Sequence, residues 1–349
     1  MKTTLTILFA AAAFGSCTGP KFTVTGRNGL VPGDSVFLFA GDRSILASGV
    51  IAPDTTFTFK GALPAPDIAS VSDRLGTTEP VRIFLEPGTI HIIPQDGGGY
   101  RVTGTRLNDR ADSVEQVCRR IAADLREETL GGGDAAKLQR LAVQRDSVIS
   151  AAIDANCDNL LGAWLFAGFR TTGAPETVRA GLAGFPPEIQ AHPILRSVAQ
   201  RLEAIERTAV GQPFTDLSLP DADGTTVALS SLVGSGHWVL LDFWATWCGP
   251  CCREIPRLRE AFAAYADKGF RIYAVSLDND TAKWLSFTAA NDMPWVNVSG
   301  IGPDKRSTAV SLYGITSIPT NFLISPEGVI AAKNLRGGQL KDKLAKVVK

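Results

Sequence analysis

The sequence predicts a multidomain chain: an N-terminal all-β, sandwich-like domain, a helical middle segment and a C-terminal α/β domain. Three observations predict it. Short runs rich in Val, Ile, Phe and Thr fill residues 17–107, apolar residues recur at three- and four-residue steps through 108–208, and strand-like and helix-like stretches alternate from 209 to 349. At 349 residues the chain has room for separate hydrophobic cores. Its 35 basic side chains equal its 35 acidic ones, so no global field draws it to nucleic acid. Apolar residues make up 45% and charged residues 20%, a globular rather than a disordered composition. His91, His192 and His237 stand far apart, none at zinc-finger spacing from a cysteine, so no structural metal is expected.

The first residues differ from the rest. "MKTTLTILFAAAAFGSC" has Lys2, an apolar run from Leu5 to Phe14, then small residues and Cys17. That run is too short to span a bilayer as a mature helix, and its flanks are those of an export signal. Phe14-Gly15-Ser16-Cys17 resembles a bacterial lipobox, with Phe14 where that motif usually carries an aliphatic residue. The resemblance implies a lipoprotein-type signal peptide over 1–16, lipidation of Cys17, and a membrane-anchored chain at the periplasmic face of a bacterial envelope. An ordinary secretory signal is the alternative. Either one brings the thiols into an oxidising compartment.

From Lys21 onward, "KFTVTGR", "DSVFLFAG", "TTFTFKG", "VRIFLEPG", "TIHIIPQ" and "YRVTG" read as strands punctuated by Gly, Pro, Asn or Asp. A small antiparallel sandwich or barrel fits. In this order, followed by "TGTRLNDRADSV", they resemble the β-rich N-terminal domain, of unknown function, of envelope lipoproteins that end in a thioredoxin module.

The period then changes. Val114, Val117, Ile121 and Leu125 lie on one helical face, and Leu138, Leu141, Val148 and Ile149 follow less strictly. Gly131-Gly132-Gly133 separates these two arms and reads as a loop, since no Lys-Ser/Thr follows to make it a phosphate cradle. "LLGAWLFAGF" reads as a buried helix, and "PPEIQAHPILRSVAQRLEAIER" supplies another. Nothing here has catalytic spacing.

In the last domain, two short strands flank "DADG", which reads as a hairpin turn because the remaining calcium-loop ligands are missing. The buried strand "WVLLDFWA" leads into Trp247-Cys248-Gly249-Pro250-Cys251, then a helical run through Ile255, Leu258, Ala261, Phe262 and Tyr265. Cys248 therefore caps a helix, where unpaired N–H groups and the helix dipole lower a thiol from about 8.5 towards neutrality. Cys251 lies one turn further in, leaving one exposed nucleophile and one shielded resolving thiol. Cys252 sits four residues after Cys248, and helical neighbours at that spacing stand about 5–6 Å apart at Cβ, beyond comfortable disulfide reach. It reads as a small helix filler. Cys118 and Cys157 either pair or remain inert.

"LLDFWATWCGPC" is nearly the thioredoxin signature, and the following "REIP" resembles the membrane-tethered thioredoxin-like reductases of the bacterial envelope. The resemblance covers Val210 to Lys349 and implies a three-layer thioredoxin fold with a central mixed sheet. It also implies that Ile318-Pro319, in "TSIPT", is cis and faces the dithiol, free to dock an extended substrate alongside Trp247. Asp242 matches the buried aspartate of thioredoxin, and Glu254 the glutamate of the envelope reductases. A desolvated carboxyl can take the proton of the resolving thiol. Asp242 is favoured, because packing alone gives no reason for an acid inside a strand before Phe243 and Trp244.

The function this implies is thiol–disulfide oxidoreduction through a Cys248–Cys251 redox disulfide, in the reducing direction, with no bound cofactor. Implied partners are disulfide-containing envelope proteins, apocytochrome haem-attachment cysteines among them, and an upstream membrane electron donor. Two alternatives differ in class. A peroxidase of the AhpC/TSA type is suggested by "PFTDLSLPDADG", but its Pro-x-x-x-Thr-x-x-Cys loop is missing: Ala245 stands three before Cys248 and Leu241 seven before. A binding module with a passive thioredoxin scaffold is the other.

Overall fold

The computed structural model describes residues 19–27, 29–73, 79–302 and 307–348. The lipidation expected at Cys17 lies outside them. Strand β1 (Lys21–Gly26) opens a run of eight: β2 (Ser35–Ala40), β3 (Ile45–Val50), β4 (Phe57–Ala62), β5 (Asp67–Ser72), β6 (Val81–Leu85), β7 (Gly88–Pro94) and β8 (Tyr100–Thr103). They form two four-stranded sheets, ordered β4-β1-β7-β8 and β3-β2-β5-β6. Alternation turns Val24, Val36, Leu38, Phe59, Val71, Ile83 and Ile90 inward, and residues of both sheets build one core between them.

Two details correct the sequence reading. Strands β1 and β7 pair in parallel, Val24 opposite Ile90, so the sandwich is not wholly antiparallel. Between them the chain builds the second sheet and adds β4 on the other side of β1, then re-enters the first sheet at β7 in the same direction as β1. Strands β3 ("ILASGV") and β5 ("DIASVS") were not anticipated, because their Ser, Ala and Gly carry little β propensity.

Six helices follow: α1 (Arg106–Leu130), α2 (Ala135–Asp154), α3 (Leu160–Phe169), α4 (Pro175–Ala183), α5 (Pro187–Gln190) and α6 (Pro193–Arg207). The triple glycine separates α1 from α2, with Gly132 at φ +84° and Asp134 capping α2 through the Ala136 N–H. Asn108, 1% exposed, fixes α1 to β6: it accepts from the Phe84 N–H and donates to the Phe84 carbonyl and the Thr105 hydroxyl. Leu107, Leu160, Leu161 and Leu165 pack with Phe84.

Contacts divide the chain into two compact units, residues up to Arg196 and residues from Ser197. The β-rich and helical segments thus share one unit, and most of α6 goes with the C-terminal one. The reason is local: Arg207 donates to the Leu312 carbonyl, and buried Thr208 to that of Tyr313.

The C-terminal unit continues with β9 (Ser218–Pro220), β10 (Thr226–Ala228), β11 (Trp238–Trp244), α7 (Gly249–Tyr265), β12 (Phe270–Ser276), α8 (Thr281–Ala290), β13 (Val296–Ser299), α9 (Thr308–Tyr313), β14 (Thr320–Ile324), β15 (Ile330–Lys333) and α10 (Gly338–Val347). In the β9–β10 hairpin the Asp221 carboxylate accepts from the N–H groups of Asp223 and Thr225, an Asx turn. Asp280 caps α8 by accepting from the Lys283 N–H.

The main sheet runs β13-β12-β11-β14-β15. It is mixed: β11, β12 and β13 are parallel, while β14 and β15 are antiparallel to their neighbours. Alternation along β11 makes three layers. Leu240 and Trp244 pack with Ile255 and Leu258 of α7 and Leu340 and Leu344 of α10. Val239, Leu241 and Phe243 face the other way, with Ala309 and Tyr313 of α9. Asp242 shares the period of Leu240 and Trp244, so it points into the α7 layer. That register creates the site.

Candidate active site

Strand β11 ends at Trp244, and four residues later the chain turns into α7. Cys248 is the N-cap residue, and its Sγ accepts from the Cys251 N–H at 3.2 Å, one of the donors that a helix start leaves unpaired. Cys248 and Cys251 are joined as a disulfide, with their Cα atoms 5.2 Å apart. The exposure contrast expected between them is absent: Cys248 is 5% exposed and Cys251 3%. With the disulfide closed, both sulfurs belong to the apolar cluster against which Ile318 packs. The exposed group is Trp247, at 62%.

The Ile318–Pro319 peptide is cis. Pro319 immediately precedes β14, and its carbonyl accepts a hydrogen bond from Arg336. A cavity of about 10 Å³ is walled by Asp242, Cys251, Glu254, Pro319 and Arg336. That space suits about one water molecule. The structure therefore gathers Cys251, the proline and both expected acids around one small void.

The two acids are held differently. Asp242 is 6% exposed, and burial pushes its carboxyl up to about 7, against the pull of the Arg336 guanidinium and of a hydrogen bond with Asn321. Nearby Glu254 adds to the rise. Glu254 itself is occupied: Oε1 accepts from Arg257 at 2.9 Å and Oε2 from the Gly337 N–H at 2.9 Å. Gly337 presents that N–H at φ +56°, a conformation that favours glycine. Burial thus leaves the Asp242 carboxyl poised to exchange a proton near neutral pH.

Sequence reasoning missed Arg336, Asn321 and Arg257. Asn321 lies opposite Asp242 in the β11–β14 ladder and bonds Leu335 twice, at 2.9 Å from its carbonyl oxygen to the Leu335 N–H and 2.9 Å from its amide to the Leu335 carbonyl. Only the antiparallel register brings these groups together. Arg257, three residues after Glu254 on a helix, was the one visible signal. The remaining thiols stay free: Cys252 is half-buried with its thiol pushed up by burial, Cys118 is likewise raised by burial, and Cys157 is exposed. Burial disfavours the thiolate of Cys252, in keeping with a filler.

A redox dithiol at a strand-to-helix junction, opposite a proline and against a buried acid, defines a thiol–disulfide oxidoreductase on a thioredoxin-like fold. Residues 210–333 match the AhpC/TSA family model. The thiol-disulfide oxidoreductase ResA of Bacillus cereus is 30% identical over 139 residues, covering 40% of this chain and 76% of its own. That of Oceanobacillus iheyensis is 39% identical over 125 residues, covering 35% of this chain and 62% of its own. Among solved structures, the thioredoxin domain of a Bacteroides vulgatus thiol-disulfide oxidoreductase is 33% identical and spans 40% of this chain and 99% of that one, with a TM-score of 0.38. Through its C-terminal domain, the chain belongs to the thioredoxin-like thiol-disulfide oxidoreductases of the AhpC/TSA family.

Proposed function

We propose that this protein is a lipid-anchored reductase of protein disulfides in the bacterial envelope. The cavity shared by Asp242 and Cys251 carries the reading, because it puts a proton acceptor near neutrality beside the thiol that must lose its proton. In the reduced protein, the Cys248 thiolate attacks a substrate disulfide, forming a mixed disulfide and expelling one substrate thiolate. The Cys251 thiol gives its proton to Asp242, directly or by way of a water that the cavity has room for, and attacks the Cys248 sulfur. The second substrate thiolate leaves, and the protein is left oxidised by two electrons as the Cys248–Cys251 disulfide. A membrane electron donor then returns two electrons and two protons. Trp247 and Pro319 flank the approach to Cys248 and dock the extended substrate.

Anchoring rests on the Phe14–Cys17 lipobox resemblance, and among the described residues no helix is long and apolar enough to cross a membrane. Substrates of the reading are misoxidised envelope proteins and apocytochrome cysteine pairs. The reductive direction is tested by equilibrating the protein with glutathione buffers. A potential near thioredoxin's, about −270 mV, is expected, and one near the strong oxidants, about −120 mV, would contradict it.

A further inference from the structure

A cleft of about 610 Å³ opens beside the redox pair, walled by Pro250, Arg253, Arg257, Pro319 and Arg336, with Glu254 as its one acid. The whole chain is charge-balanced, so three guanidinium groups against one carboxylate is a local excess. That carboxylate is already engaged, by Arg257 and by the Gly337 N–H. Two of the arginines are held in place: Arg257 by Glu254, and Arg336 by the carbonyls of Pro319 and Leu335. Arg253 has no carboxylate partner among the described residues. Fixed guanidinium groups bind carboxylates through paired, charge-assisted hydrogen bonds and lose little freedom in doing so.

We infer that this cleft selects disulfides carried on acidic segments: an extended peptide seated between Pro250 and Pro319, with an aspartate or glutamate close to its cysteine. The position decides the occupant. Pro250 lies within the redox motif and Pro319 borders the same cavity as Cys251, so a peptide filling the cleft lies alongside the redox pair. A charged rim of this kind acts mainly on the rate of encounter, and salt weakens it. The inference rests on the reductase reading for the direction of electron flow and adds the substrate class.

The test is single-turnover oxidation of the reduced full-length protein by three disulfide peptides, identical except that the residues flanking the cysteines are acidic, amide or basic. The order acidic, amide, basic is expected, with acidic over amide by about tenfold at low ionic strength and a smaller ratio in 0.5 M salt. In the Arg253→Gln, Arg257→Gln double variant that ratio should fall to about threefold or less. Should the double variant misfold, Arg253→Gln alone is expected to lower the ratio, since its side chain makes no ion pair to lose. Equal rates, or a preference for the basic peptide, would overturn the inference and leave the reductase reading standing. Failure of all three peptides to oxidise the protein would overturn both.

Discussion

Asp242 and Asn321 face one another across the β11–β14 ladder, and the Asn321 side chain, whose pull opposes the rise of the Asp242 carboxyl, also holds Leu335 by two bonds. The buried acid is thus framed by the same residue that seats the loop carrying Arg336. The surroundings of the buried acid and the loop that reaches Pro319 are consequently linked through one amide.

The acid's burial has a consequence for stability. Between pH 3.8 and about 7 the folded protein keeps a proton on Asp242 that the unfolded chain has lost. Stability therefore falls as pH rises through that window. The gap corresponds to about 4 kcal/mol, an order-of-magnitude figure. Asp242→Asn should accordingly be more stable than the parent at pH 8, by up to about 4 kcal/mol, and nearly equal to it below pH 4. Denaturant unfolding at both pH values measures this. An equal difference at the two would show that ionisation is not its source.

The same variant separates attack from resolution. Asp242→Asn should slow release of the mixed disulfide by about tenfold to a hundredfold, within the usual range for a lost proton acceptor. Alkylation of reduced Cys248 should change little, because its thiolate depends on the start of α7. Stopped-flow resolution and iodoacetamide kinetics read the two steps apart. A slowed alkylation with normal resolution would move Asp242 to the other cysteine.

Glu254 is assigned the part of a clamp. Glu254→Gln keeps an acceptor for the Gly337 N–H and loses only charge, so turnover should fall less than about threefold. Glu254→Ala leaves that N–H and Arg257 without their partner and should cost about 1–2 kcal/mol of stability. Turnover assays on both variants check this. A collapse in Glu254→Gln together with unchanged turnover in Asp242→Asn would reverse the assignment of the two acids.

Asn108 provides a control far from the chemistry in sequence. Asn108→Ala strips the Phe84 N–H and carbonyl of their buried partner, at a cost of about 2–4 kcal/mol. Thermal unfolding should show that loss in the N-terminal unit. An unshifted transition would mean that α1 is held to β6 by packing alone.

How much of this the sequence could show depended on whether a signal was local. The α7 start and the Cys248–Cys251 pair follow from a buried strand running into a helical period, while the burial of Asp242 was implied by its match to the thioredoxin aspartate. Pro319 was legible because "TSIPT" resembles the family's cis-proline run and an apolar strand follows it. Arg336 and Asn321 were not, since an arginine in a loop and an asparagine in a strand acquire meaning only when register sets them against Asp242. Strands β3 and β5 escaped for a different reason. Their Ser, Ala and Gly residues are strand-forming here only because neighbours pair with them on both sides of β2. Cys248 is buried in the disulfide-bonded state, an exposure that spacing does not encode.

The central claim is that Cys248 attacks and Cys251 resolves. Reduced Cys251→Ser protein, mixed with a protein disulfide such as insulin and quenched with acid, tests it most directly by peptide mapping of the trapped adduct. The account predicts a stable mixed disulfide on Cys248, none on Cys252, and none in Cys248→Ser. An adduct on Cys252, or persistent trapping after Cys248→Ser, would contradict it.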